Sequence, residues 1–226
     1  LTFLNEPSKK LGMSNSKRFI VIAGNIGSGK TTLTQLLAER YRWEPHFEVV
    51  AENPYLADFY ENMPRWSLQL QVFFLSKRFQ AHQKIVYGPS SAIQDRSIYE
   101  DAHIFARALY ESGKMEKRDY ENYYELYSTM TQLLPPPDLV VYMRRSVPCL
   151  QERIAQRGRD YEKNIPDSYL DQLNVCYDEW IEKYQIGKVL TVQADNLDLK
   201  NKKEDFDYVC SRLEQSLEQP DLFSTC

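Results

Sequence analysis

The chain has 226 residues, with 28 Lys+Arg against 32 Asp+Glu for a formal net charge of −4, and 42% of it is apolar with 16 Tyr and 10 Phe. At roughly 100–200 residues per domain this is one large domain or two small ones, with ample material for a core. No run approaches the ~18 consecutive apolar residues of a membrane span, and the mild acidity argues against a broad phosphate-contacting face for nucleic acid. Cys149, Cys176, Cys210 and Cys226 lie far apart, with no C-x-x-C pair, so they are expected to be reduced thiols in a cytoplasmic protein. Residues 1–17 are read as an extension or tag, with Met13 as the candidate start, and 18–226 as a single domain.

In chain order, the first apolar run is Phe19–Gly24 (FIVIAG), followed by a Gly-rich stretch and a helical pattern containing Leu33, Leu36, Leu37 and Tyr41. A second run, Phe47–Glu52 (FEVVAE), precedes a long helical pattern from about Trp66, where Leu68, Val72, Leu75 and Phe79 recur at helical spacing. Ser91–Asp95 (SAIQD) is the third strand. A helix is expected over 117–134, with Tyr120, Tyr123, Tyr127 and Met130 on one stripe, ended by the rigid loop Pro135-Pro136-Pro137. Leu139–Arg144 (LVVYMR) and Lys188–Ala194 (KVLTVQA) complete the strands, and a final helix is expected over 205–217. Short strands with little polar alternation, separated by helices, predict an α/β domain: a five-stranded parallel sheet flanked by helices on both faces.

Gly24-Asn25-Ile26-Gly27-Ser28-Gly29-Lys30-Thr31 fits G-x-x-x-x-G-K-[ST] at every position. A strand enters it and an amphipathic helix leaves it, which a chance Gly-rich turn would lack. Backbone N–H groups turned to one centre, plus the helix N-terminus, make a phosphate cradle. Lys30 would reach the β- and γ-phosphates of a nucleoside triphosphate and Thr31 would ligate Mg²⁺, with Thr32 following in the same turn. The chain has no N-K-x-D guanine motif, and the fourth strand lacks a terminal acid, whereas Asp95-Arg96-Ser97 follows the third. A small kinase is the favoured class. Further on, RIAQRGRDYE carries Arg153 and Arg157 four apart on one helix face, and Gly158 lets the chain turn and aim Arg159 separately. Mobile arginines suit the charge spread over a phosphoryl group in transfer.

These segments together resemble the deoxyribonucleoside kinase family over roughly 19–183. The resemblance rests on GNIGSGKTT (24–32), ENPYLADFYE (52–61), RWSLQLQVFFLSKRF (65–79), QDRSIYEDAHIF (94–105) and RIAQRGRDYE (153–162), and looks closest to the bacterial deoxyadenosine/deoxycytidine kinases. It implies a P-loop kinase fold with an arginine-bearing lid at about 153–165. The implied reaction is transfer of the γ-phosphoryl group of ATP, with Mg²⁺, to the 5′-hydroxyl of a deoxyribonucleoside.

By the same resemblance, Glu52 takes the proton from that hydroxyl, Arg96 holds Glu52 and the 5′-oxygen, and Arg157 and Arg159 attend the phosphates with Arg153. Asp95, where many members carry Glu, helps to hold Mg²⁺. Tyr60 and Glu162 bind the sugar 3′-hydroxyl. Gln71, Phe74 and Arg78 fall at i, i+3 and i+7 on one helix face; in the family the matching Gln reads the base, Arg78 pairs with Asp101, and Phe105 stacks on the base. Such an Arg–Asp pair favours amino-bearing bases, adenine and cytosine, with guanine also in range. Phe74 is bulkier than the residue that the mammalian cytidine-preferring enzymes carry there. A homodimer through the 66–87 and 117–134 helices and feedback inhibition by a deoxynucleoside triphosphate are further expectations from the family. Two alternatives are a nucleoside monophosphate kinase of the thymidylate kinase type and a nucleotide-binding scaffold without activity. The first would need extra cations for an acceptor phosphate, and Glu52, Tyr60 and Glu61 suit a neutral nucleoside better; the second leaves the retained set of charged groups without a purpose.

Overall fold

The computed structural model describes residues 16–47, 53–159, 162 and 165–219. At its centre is a parallel sheet of five strands in the order β2-β3-β1-β4-β5. The strands are β1 (Phe19–Ala23), β2 (Glu44–His46), β3 (Ala92–Asp95), β4 (Leu139–Arg144) and β5 (Lys188–Gln193).

Alternation along the central strands splits the core into two layers. Ile20 and Ile22 of β1, with Leu139, Val141 and Met143 of β4, pack on α1 (Lys30–Tyr41) and on α9 (Lys203–Glu218) through Leu33, Leu37, Val209 and Leu213. Phe19, Val21 and Ala23, with Val140 and Tyr142, face the other layer. That layer comprises α2 (Leu56–Glu61), α3 (Met63–Tyr87), α4 (Ile98–Glu100), α5 (Arg107–Glu111), α6 (Lys117–Thr131) and α8 (Asp167–Glu182). Helix α7 (Val147–Arg157) packs through Leu150 and Ile154 beside Ile165 and Leu170. Both faces of the sheet are thus covered, as the unalternating strand sequences predict.

The second strand differs from expectation. It is the three-residue segment Glu44–His46, paired with the start of β3 through Glu44↔Ala92. Phe47, expected as its first residue, lies just beyond the ladder, and the rest of the expected strand, 48–52, lies outside the described residues. As an edge strand, β2 needs neither a doubly buried apolar run nor the N–H that Pro45 lacks.

Helix α3 starts three residues before Trp66, because Pro64 occupies the first turn and the Asn62 side chain accepts from Arg65 N–H at 3.3 Å. Its buried stripe is also rotated from the expected one. Leu75 is shared, but Val72 is 37% exposed, while Ser67, Gln71, Arg78 and His82 are buried. A polar face turned inward defeats a pattern read from apolar spacing alone. Helix α6 ends at Thr131 rather than 134, and Leu133 and Leu134 close 3₁₀-type turns onto Met130 and Thr131 before the prolines. None of the described helices is long and apolar enough to cross a membrane.

The rotated stripe has a direct test in urea unfolding. Leu75→Ala should cost about 2–5 kcal/mol of stability, and Val72→Ala about 1 kcal/mol or less.

Candidate active site

The Gly-rich loop leaves β1 at the centre of the sheet and enters α1. Gly24 (φ +150°) is hemmed in: a Cβ there would lie 2.7 Å from Ser28 Oγ and 2.8 Å from the Met143 carbonyl oxygen. At Gly27 (φ +81°) it would meet Ile154 Cγ1 at 2.9 Å, so α7 leans directly on the loop. Lys30 is buried and its ammonium donates to the Asn25 carbonyl at 2.9 Å. Thr31 Oγ1 donates to Asp95 Oδ2 at 2.5 Å. Pairing of Ile22 with Asp95 across β1 and β3 places that carboxylate at the strand end beside the loop. Asp95 Oδ1 is buried with no hydrogen-bond partner among the described residues.

Arg96 follows in the left-handed region, φ +69°, with its guanidinium 4.2 Å from the centre of the Phe105 ring. A non-glycine residue in that region is conformationally costly, of order 1–3 kcal/mol, and such strain clusters at functional sites. Between α4 and α5 the helix widens into a π-helical segment, Asp101–Ala106, which re-phases the two faces. Asp101 and Phe105 both reach the cavity from it.

That cavity, of about 270 Å³, gathers most of the residues singled out in the sequence. Ile26, Lys30, Thr31 and Asp95 of the loop side line it together with Gln71, Phe74, Arg78 and Asp101, and the Arg96–Phe105 contact lies on the same wall. Tyr60, Arg157, Arg159 and Glu162 complete the wall. Arg78 Nε donates to both Asp101 oxygens at 2.7 and 2.6 Å, and both side chains are buried. The Arg78 guanidinium also lies 5.3 Å from the Phe74 ring centre. Gln71 Oε1 is buried without a hydrogen-bond partner among the described residues. Glu162, 5% exposed, accepts from Arg157 Nε at 3.0 Å and from Arg159 at 3.4 Å.

Other predicted residues stand behind the cavity. The Asn25 side chain binds the Leu170 carbonyl and Asn174 Oδ1, each at 2.8 Å. Arg153 places a guanidinium nitrogen 3.5 Å from where a Gly29 Cβ would sit, and burial together with the nearby Arg145 charge lowers its hold on its proton. Thr32 is half-buried in the first turn of α1 and does not line the cavity. Glu52 lies outside the described residues.

Several contributors escaped the sequence reading. Phe47, Leu56, Phe59, Leu70 and Tyr169 line the cavity. Leu56 and Phe59 at i and i+3 of α2 could have been found from ENPYLADFYE; nothing in the spacing marks Tyr169. Glu100 was also missed, although Ser97-Ile98-Tyr99-Glu100 spells a capping box. Its carboxylate accepts from Ser97 N–H at 2.7 Å, from Gly24 N–H at 3.3 Å and from the Tyr177 hydroxyl at 2.7 Å.

Comparison with known proteins agrees with this geometry. The "Deoxynucleoside kinase" family model matches residues 20–218. The chain belongs to the deoxynucleoside kinase family. The deoxyadenosine/deoxycytidine kinase of Bacillus subtilis (strain 168) is 36% identical over 196 residues, covering 86% of this chain and 90% of that protein. The deoxyguanosine kinase of the same organism is 34% identical over 205 residues, covering 89% and 98%. Among solved structures, a deoxyadenosine kinase from M. mycoides with products dCMP and a flexible dCDP bound superposes with a TM-score of 0.77. It is 27% identical, and the match covers 87% of this chain and 99% of that one. This deoxynucleoside kinase is therefore an ATP-dependent phosphotransferase of nucleotide salvage, and the monophosphate-kinase and inactive-scaffold alternatives fall.

The crowding at Gly24 is testable apart from chemistry. Gly24→Ala must displace either Ser28 or the β4 backbone, and thermal or urea unfolding should register a loss of about 1–3 kcal/mol.

Proposed function

We propose that this kinase phosphorylates deoxyadenosine and deoxycytidine in preference to thymidine, accepts deoxyguanosine, and uses the cavity described above for both partners of the reaction. One observation carries the reading: a single cavity runs from Lys30, Thr31 and Asp95 to the buried Gln71 and the Arg78–Asp101 pair. A phosphate-binding end and a hydrogen-bonding, aromatic-walled end at that separation suit a nucleoside laid between them.

At the base end, Asp101 carries full negative charge balanced by Arg78, so it accepts from an exocyclic amino group, and Gln71 Oε1 is an acceptor in want of a donor. Thymine offers a carbonyl where adenine and cytosine offer that amino group, and two facing acceptors repel; guanine also has a carbonyl there, but unlike thymine it keeps an exocyclic amino group, on C2, as a donor. Phe74 and Phe105 supply apolar walls for the ring. Tyr60 and Glu162 take the sugar 3′-hydroxyl.

At the phosphate end, the loop N–H groups, Lys30, Arg153, Arg157 and Arg159 hold the triphosphate and offset charge that develops during in-line transfer. Glu52 removes the proton from the 5′-hydroxyl, and Arg96 orients that oxygen. The residues flanking 48–52 support this, since Phe47 and Leu56 both line the cavity. Thr31 and Asp95 are hard oxygen donors, and the buried, unpartnered Asp95 Oδ1 fits a Mg²⁺ site completed by phosphate oxygens. Magnesium would neutralise phosphate charge there.

The enzyme is proposed to be a cytoplasmic homodimer. Cys149, Cys176 and Cys210 are free thiols, and the outward sides of α3 and α6 carry exposed Val72, Tyr124 and Leu126. A deoxynucleoside triphosphate spanning both ends of the cavity would act as a feedback inhibitor.

Two measurements test the reading. Purified enzyme with Mg·ATP should turn over deoxyadenosine and deoxycytidine at least about tenfold more efficiently than thymidine, a difference of about 1.4 kcal/mol in transition-state binding; equal efficiency on thymidine removes the assigned role of Asp101. Glu52→Gln should lower kcat by about 10²–10⁴, the usual contribution of a general base, with ATP binding nearly intact. Unchanged turnover would mean another group takes the proton.

A further inference from the structure

The second arginine of LVVYMRR is buried where a charged side chain has no evident business. Arg145 follows β4, is 3% exposed, and forms no ion pair among the described residues. Its guanidinium is satisfied by carbonyl groups and one thiol. Nε donates to the Ser28 carbonyl at 2.9 Å, one terminal nitrogen to Asp195 O at 3.3 Å and Cys149 Sγ at 3.2 Å, and the other to Leu197 O at 3.3 Å. The guanidinium thus lies buried against the underside of the phosphate loop, hydrogen-bonded to carbonyl dipoles and a thiol rather than to a carboxylate.

The contact with Ser28 has a geometric consequence. The Ser28 carbonyl and the Gly29 N–H belong to one planar trans peptide, so they point in opposite directions. Holding the carbonyl outward, toward Arg145, turns the Gly29 N–H inward, toward the centre of the loop. Gly29, at φ +97°, has little conformational preference of its own to do this. The same charge polarises that peptide and adds to the field at the loop. Its reach is seen at Arg153, whose guanidinium holds its proton less tightly through burial and the nearness of Arg145. The remaining contacts fasten the assembly to the turn after β5, where Asp195 Oδ1 in turn accepts from Ser146 N–H at 2.8 Å.

We propose that Arg145 is a positioning residue for the phosphate donor: from beneath the loop it fixes the Ser28–Gly29 peptide with its N–H toward the triphosphate and adds a nearby positive charge. The inference rests on the loop at 24–32 being the donor site, which Lys30→Ala tests separately. A donor KM unchanged in that variant would remove the site assignment itself.

The experiment is steady-state kinetics of Arg145→Gln and Arg145→Lys, with ATP varied at saturating deoxyadenosine and the reverse. Gln keeps part of the hydrogen bonding without charge; Lys keeps charge without the fork that spans three carbonyls. The KM for ATP should rise about tenfold or more in Arg145→Gln and about threefold in Arg145→Lys, with the KM for deoxyadenosine within about twofold of wild type in both. A general loosening of the fold would move both KM values together, and that outcome overturns the proposal, as does a donor KM within twofold of wild type in Arg145→Gln. Should Arg145→Gln fail to fold, Arg145→Lys decides alone, since it retains the buried charge: a donor-selective rise supports the role and an unchanged donor KM ends it.

Discussion

A phosphate loop turns several peptide N–H groups toward one point, and the repulsion among those aligned dipoles has to be resisted from outside the loop. Here the restraint comes from buried side chains. The Tyr177 hydroxyl lies 2.8 Å from the Gly24 carbonyl and 2.7 Å from Glu100, and burial, then the neighbouring Glu100 charge, hold the phenol far above its ordinary pKa, so it remains a donor. Asn25 is tied to α8 through Leu170 O and Asn174, and Asn174 Nδ2 binds the Arg145 carbonyl at 2.9 Å. Glu100 completes the set by accepting from Gly24 N–H while it caps its own helix at Ser97. The loop is thus set by the Asp95-Arg96-Ser97 corner and by α8, so the acceptor and donor ends of the cavity are placed by one network.

The opposite end obeys a different constraint. A buried Arg78–Asp101 pair is a poor source of stability, because desolvating both ions offsets most of their attraction. On the proposed reading its value would lie in leaving a fixed, oriented carboxylate in a buried site, where an incoming group that cannot donate to it is disfavoured. The π-helical segment serves the same end. One widened turn brings both Asp101 and Phe105 to the cavity from a helix whose other residues, Ala102, Ile104 and Ala106, are buried in the core.

Much of this was legible in the residues. Strand runs buried on both faces and the phosphate loop between β1 and α1 follow from periodicity and motif, while Gln71, Phe74 and Arg78 were marked by the family resemblance, with spacing placing them on one helix face; all three line the cavity with Lys30 and Thr31. What failed did so for physical reasons. Apolar spacing on α3 could not locate the buried face, since Ser67, Gln71, Arg78 and His82 interrupt its apolar members Leu70, Leu75 and Ile85. The edge strand Glu44–His46 has no composition that would announce it. Nothing in the spacing marks Arg145, because its three carbonyl partners come from residues 117, 50 and 52 positions away.

The lid joins the two halves of the chemistry. Arg157 and Arg159 carry charges suited to the triphosphate, yet in this arrangement both are held by Glu162, the carboxylate assigned to the sugar. Arg157 occupies Glu162 Oε2 and Arg159 reaches Oε1 at 3.4 Å, so a sugar hydroxyl proposed to bind there would meet a carboxylate whose charge two guanidinium groups already share. On the proposed reading, a hydroxyl donor arriving at Glu162 would weaken its hold on the arginines, and a triphosphate drawing the arginines away would leave Glu162 more available to the sugar. Each ligand would thereby remove a competitor of the other, and the coupling would be reciprocal by linkage.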